Sequence, residues 1–538
     1  MSVRGTSAKR SAVSAPAPLA NAAGSAATRR RPLACFAVAA AVLAAHLASF
    51  PLDRPIVTDI RFSVYFASRA ASGAVPYRDF FDNRTPLSTY LGALLHLIAT
   101  GVGADPLIAM RIGCLAVAGL AGLVLFAVQR RLAAGDCVAG IAGLLPYVGF
   151  TVLAVLPSVG PFPKLLMALL APLAALLAFH ERWALAGAAA ALAALDWQIG
   201  VLAAAGVVLA AVATPHERRF AWLRAAAGGA AVALAFLGVL AAAGALDDAL
   251  RQIVLSAASR GASSMRESPN GRLEQILQVA RIACPGQTWL LALGAAGMLA
   301  LPLLWWRERR GALSRLACVL AVHHYGVVAF SVLDFQRFGD LFILLQSLAF
   351  FAGIALALPV RLTRGALPSP RSAKPNGAPL PALASLDRAR RVVSVAAVAI
   401  LAVAVRPSVL HPDVHLPTHA TRADVTLAGQ RAVARELATR FAGRRVAVIG
   451  PSELLFLEGS ASALPFIYWN AATWAFYRAV ADEEPRDALL RILRDSRPDA
   501  IVYPEERLGH DERLDAEYAP LELVSPDGTY RLPLLVRR

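Results

Sequence analysis

The residues best equipped for chemistry crowd into one short stretch. VPYRDFFDNRTPLSTYL, residues 75 to 91, packs Arg78, Asp79, Asp82 and Arg84 among aromatics and a proline. Just upstream, Asp53, Arg54, Asp59 and Arg61 repeat the mixture. A carboxylate beside a bilayer can take the proton of a hydroxyl, and a guanidinium can bind a phosphate with two parallel hydrogen bonds. The same charges would also suit an interfacial loop that only faces water and lipid headgroups.

What must position these residues is a membrane-embedded body. The chain has 538 residues, 57% of them hydrophobic and 17% charged, with a mean hydropathy of +0.56. These values exclude an ordinary soluble protein. The apolar runs approach or exceed the roughly 20 residues a spanning helix needs, and they are continuous rather than alternating, which disfavours a barrel.

The net charge of +17 is local. Arg4, Lys9, Arg10, Arg29, Arg30 and Arg31 lie in residues 1 to 32 without an acid, and 361 to 391 hold seven Lys/Arg against Asp387 alone. From 407 onward there are 16 Arg and 19 Asp/Glu. A positive excess confined to segments flanking apolar runs marks cytoplasmic loops and argues against a nucleic-acid partner. The five cysteines carry no metal or haem spacing and read as packing residues.

Walking between the basic clusters predicts a disordered cytoplasmic tail over 1–32 and a retained first helix at 33–50. Further spans follow near 109–129, 134–156 and 164–179, a tight pair over 184–214 broken near Asp196, and 220–243, 287–305, 314–333, 340–359 and 392–406. The reading is an α-helical polytopic membrane protein of about 11 spans over 33–406. Loops 52–108 and 244–286 lie outside and a basic linker, 361–391, inside. The stretch 87–104 cannot be an ordinary span and must lie on the outer leaflet. RRVAVIG (444–450) and DAIVYPEE (499–506) read as strands and RDALLRILRDS (486–496) as an amphipathic helix, so 407–538 is expected to form a small extracytoplasmic, periplasmic α/β domain. VIGPSE lacks the glycine and lysine pattern of a phosphate loop.

TDIRFSVYFASRAASGAVPYRDFFDNRTPLSTYL resembles the first outer loop of the GT-C class of membrane glycosyltransferases. That class includes dolichyl-phosphate-mannose protein mannosyltransferases and bacterial aminoarabinose and RgtA/B/C/D-like transferases. Asp59 falls on the acidic position of that loop, Gly73, Pro76, Tyr77 and Asp79 on its G-x-PY-x-D motif, and Arg84 with Pro86 on the basic-x-P step before a juxtamembrane helix. Ile60 follows Asp59 where many relatives have Glu, Thr85 replaces the first proline, and the next outer loop, LPSVGPFPK, has no acid. The missing acid makes a metal-independent mechanism the expectation, with no cofactor.

The resemblance implies transfer of a sugar, with inversion, from a polyprenyl-phosphate donor to a cell-envelope glycan, lipid or protein acceptor. The basic clusters place the N-terminus in the cytoplasm, and three lysines against 50 arginines suggest a GC-rich bacterial source, so a bacterial inner membrane is the expected location. Asp59 would be the base; Arg61, Arg84 and Arg337 of DFQRFGD would bind the donor phosphate; Asp79, Asp82 and Tyr77 are secondary candidates, Asp82 also suiting a cap for the helix from Leu87. A transporter or flippase would share the span count, but no internal repeat is visible and the polar residues gather at the outer face. A polysaccharide ligase using a lipid pyrophosphate would suit the arginines of 244–286. His323 and His324, in mid-span, read as a buried hydrogen-bonded pair.

Overall fold

A computed structural model describes residues 22–57, 59–133, 135–214, 220–255, 269–284, 286–307, 312–335, 338–365, 425–469, 471–478, 484–502 and 512–538. Arg337, the expected span 392–406 and most of the linker 361–391 lie outside them. Two helices, α1 (Ala22–Ala48) and α2 (Ile60–Ala71), lead to the charged loop. Helix α1 starts inside the stretch expected to be a disordered tail, because its alanines favour helix strongly. Helix α3 (Leu87–Gly101) occupies the stretch that could not be an ordinary span.

The apolar body continues with α4 (Pro106–Leu132), α5 (Cys137–Gly149), α6 (Val152–Val159), α7 (Leu165–Phe179), α8 (Trp183–Asp196), a 3-10 turn (Gln198–Gly200), α9 (Val201–Val212) and α10 (Ala221–Ala242). After α11 (Leu246–Leu250) and a π turn (Arg251–Leu255) come α12 (Pro269–Ala283), α13 (Thr288–Arg307), α14 (Ala312–Leu333) and α15 (Phe338–Gly365). Five of these helices are long and apolar enough to cross a membrane, or six if a bent pair counts as one span. The stretch 164–179, read as a full span, is the shorter helix α7, and the tight pair over 184–214 is the short helices α8 and α9. The expected single span 134–156 is α5 and α6, bent by 58°. The bend falls where Phe150 leaves helical geometry between Pro146 and Pro157. The break at Asp196 is present, with Trp197 extended between α8 and the 3-10 turn.

Small residues let the helices approach closely. A Cβ on Gly187 of α8 would stand 1.9 Å from the Ala225 carbonyl oxygen of α10, and one on Gly228 equally close to that of Ala184. His323 and His324 are buried, and His324 Nδ1 meets Ser347 Oγ at 3.0 Å while its ring stacks on Phe350.

Beyond residue 425 the chain forms α16 (Leu427–Arg440), β1 (Val446–Val448), α17 (Glu453–Glu458), α18 (Ala471–Phe476), α19 (Pro485–Ser496), β2 (Ala500–Val502), α20 (Glu512–Glu517), β3 (Tyr518–Val524) and β4 (Arg531–Arg537). The strands form one sheet, ordered β1-β2-β4-β3, in which β1 and β2 run parallel and the other pairs antiparallel. Parallel neighbours need a crossover. It passes through α19, which buries Ala488, Leu489 and Leu493. Adding one methyl as Gly187→Ala collides with backbone and is expected to lower stability by about 1–3 kcal/mol. Gly238→Ala, on α10 with nothing within 4 Å, is expected to leave the melting temperature unchanged or raise it; thermal unfolding of both purified variants checks the contrast.

Candidate functional site

The loop between α2 and α3 has little secondary structure, and its own side chains shape its first half. Gly73, at φ 89°, reverses the chain after α2. Asp79 then closes a turn by accepting the Val75 N–H at 2.7 Å, and Arg78 donates to it from Nε at 2.8 Å. The Arg78 guanidinium and the Val75 amide lower the Asp79 pKa to about 2. Tyr77 is buried at φ 73°, a strained conformation for a bulky residue. Its hydroxyl donates to the Arg84 carbonyl at 2.7 Å.

Asp82 and Arg84 form the centre. Oδ1 of the fully buried Asp82 accepts both the Arg84 backbone N–H at 3.1 Å and Arg84 Nε at 2.9 Å. Arg84 Nη1 donates to Ser63 Oγ of α2 at 3.3 Å, and its guanidinium carbon lies 5.2 Å from the Phe66 ring centre. Burial raises the Asp82 pKa against the opposing pull of Arg84. Asp82 does not cap α3; Pro86 occupies that position, because Asp82 is committed to Arg84.

Asp59 is exposed at the N-terminus of α2, makes no side-chain capping bond, and is close enough to act electrostatically on Arg84 and Tyr468. Arg61 lies over the Phe62 ring at 5.4 Å and pulls electrostatically on the buried Glu453. The structure therefore brings Asp59, Asp82 and Arg84 together, sets Tyr77 behind them, and directs Asp79 to the turn.

Two further regions complete the enclosure, and apart from the break at Asp196 they are built from residues that sequence reasoning passed over. The first is the C-terminal portion. The Gln430 amide accepts the Ile56 N–H at 2.8 Å and donates to the Ile56 carbonyl at 2.9 Å, and Arg431 pairs with Asp105 at the start of α4. Pro465 accepts the Phe81 N–H, and the Tyr468 hydroxyl donates to Asn83 Oδ1 at 2.9 Å with its ring 5.0 Å from Phe62. Burial raises the Tyr468 pKa, so this hydroxyl keeps its proton.

The second is the break after α8. Asp196 accepts from Ser88 of α3 and from the Met167 N–H of α7, and Gln198 donates to the Asn83 carbonyl at 3.3 Å. Beside them, Lys164 at φ 90° donates to the buried Asp340 at 2.5 Å and sits 4.3 Å over the Trp197 ring. From 246–255, Gln252 accepts the Asp82 N–H and donates to the Tyr77 carbonyl at 2.8 Å. The signal for Lys164 was in plain view: it is the single lysine between Lys9 and Lys374. Among the described residues, no group of three or more His, Cys, Asp and Glu could hold a metal ion.

These features define a helical, membrane-type protein whose polar loop is enclosed by helix ends below and a small sheet domain above. The chain has the fold of GT-C class membrane glycosyltransferases. Solved structures of ArnT from Cupriavidus metallidurans match along nearly the whole chain. The form bound to undecaprenyl phosphate has a TM-score of 0.53 and 16% identity, covering 94% of this chain and 97% of that one. The apo form gives 0.51 and 16%, covering 95% and 98%. The oligosaccharyltransferase AglB from Archaeoglobus fulgidus, with an inhibitory peptide and a dolichol-phosphate, gives 0.47 and 13%, covering 93% and 74%. No family model matches the chain, and no curated protein sequence does.

Tyr468→Phe, which keeps the ring but loses the Asn83 bond, is expected to cost about 1 kcal/mol. Tyr468→Ala should cost about 3–5 kcal/mol, read as a larger fall in melting temperature. Asp340→Asn leaves the buried Lys164 ammonium without its counter-charge and should destabilise by about 3–5 kcal/mol; an unchanged melting temperature would show that the pair is not buried.

Proposed function

We propose that the protein is a glycosyltransferase that moves a sugar from a polyprenyl-phosphate donor to an acceptor on the extracytoplasmic side of a bacterial inner membrane. One observation carries the reading: an exposed Asp59 carboxylate, unspent on capping, within electrostatic reach of Arg84, whose guanidinium is held in place from three sides. The ArnT structure of the same fold was solved with undecaprenyl phosphate, which is the donor chemistry an arginine at this place would serve.

In this reading Asp59 takes the proton of the acceptor hydroxyl as its oxygen bonds to the anomeric carbon. The bond from that carbon to the phosphate oxygen breaks on the opposite face, inverting the centre. The electron pair leaves with the carrier phosphate, and Arg84 neutralises it. Arg61, coupled to Glu453, serves mainly to join α2 to the C-terminal portion. The basic N-terminal segment faces the cytoplasm and the sheet domain the periplasm, following the distribution of Arg and Lys.

The test is Asp59→Asn in isolated membranes supplied with polyprenyl-phosphate sugar. Loss of a general base is expected to slow transfer by about 10²–10⁴-fold with unchanged membrane insertion. Transfer at the wild-type rate would remove Asp59 from the mechanism.

A further inference from the structure

The ion pair between Asp82 and Arg84 is an unusual way to hold a loop together. Asp82 is fully buried, yet its second oxygen, Oδ2, has no hydrogen-bond partner among the described residues. An unsatisfied buried carboxylate oxygen is costly, and buried ion pairs add little stability compared with apolar residues of the same size. Stability of the loop therefore does not explain why a carboxylate is there.

Its geometry does. Arg84 is fixed at four atoms: the carbonyl oxygen by the Tyr77 hydroxyl, the backbone nitrogen and Nε by Asp82 Oδ1, and Nη1 by Ser63. Asp82 is itself tied down through its backbone N–H to Gln252. The Arg84 side chain still keeps 11% of its surface exposed, whereas that of Asp82 keeps 1%. Asp82 thus grips the Nε edge of a guanidinium of which a small part stays exposed. Other titratable groups facing Asp82 are Tyr77 and Tyr468, both buried phenols, and Asp59 acts electrostatically on Arg84.

We infer that Asp82 is a positioning residue that freezes Arg84 in the orientation needed by the phosphate of the lipid donor. The inference rests on the proposed function for the identity of that phosphate. A free arginine must give up its rotamer freedom when it binds an anion; one already held by Asp82 has given it up during folding. Releasing Arg84 should therefore weaken donor binding roughly thirtyfold and slow the bond-breaking step that Arg84 assists, while the acceptor site is left alone.

The experiment uses the full chain in nanodiscs and undecaprenyl monophosphate as the probe, with wild type, Asp82→Asn, Asp82→Leu, Ser63→Ala and Arg84→Gln compared. The expected result is that both Asp82 variants lower the melting temperature, because the part-buried Arg84 loses its counter-charge, yet remain folded at the assay temperature. They should bind the probe more weakly, raise the donor KM by the same factor, lower kcat because Arg84 also neutralises the departing phosphate, and leave the acceptor KM close to wild type. Ser63→Ala, which removes only the Nη1 contact, should shift binding a few-fold in the same direction, and it decides the matter if the Asp82 variants fail to fold. Wild-type affinity in a folded Asp82 variant, or in Ser63→Ala where those do not fold, overturns the positioning role; if Arg84→Gln still abolishes binding, the functional reading stands without it. Absence of probe binding by the wild-type protein overturns both.

Discussion

A loop with almost no helix or strand of its own cannot satisfy its backbone from within, and this one sits where water cannot do it everywhere. Side chains from distant segments make up the difference. Gln430 replaces a strand partner for Ile56, Gln252 bridges Tyr77 and Asp82, Tyr468 caps Asn83 from one side and Gln198 from the other. Buried amide and hydroxyl groups with both ends bonded are rigid and specific. The order of the charged loop depends on them, and so does the fixed direction of Arg84.

The enclosure is also where helix ends are tied to one another. Asp196, the last residue of helix α8, caps α7 through the Met167 N–H and accepts from Ser88 of α3. The strained backbone of Lys164 falls at that junction, held by Asp340 and Trp197. Strain of this kind survives only where surrounding contacts outweigh it. Around the loop the body is packed through alanine and glycine, so helix backbones touch and leave little freedom to adjust.

Two carboxylates close to one arginine have been given opposite environments. Asp82 is sealed and committed to Arg84; Asp59 is exposed and uncommitted as a cap. Placing two such environments near one cation lets a single loop hold a charge still and keep a second carboxylate exposed to solvent.

Much of this was legible in the residue order. Composition and run length give the helical membrane class. The G-x-PY-x-D stretch gives the turn that Gly73 and Asp79 build, the apolar run from Leu87 gives α3, the aspartate in 184–214 gives the break, and the β-branched runs near 446 and 500 give two strands. These are local properties, set by propensity, period and turn chemistry within a few residues. The depth of Asp82, the pairing of Lys164 with Asp340 across 176 positions and the docking of Tyr468 on Asn83 across 385 were decided only by the tertiary structure. A tyrosine or glutamine has no spacing that announces a partner so far along the chain, and burial is a property of what packs around a residue rather than of the residue itself.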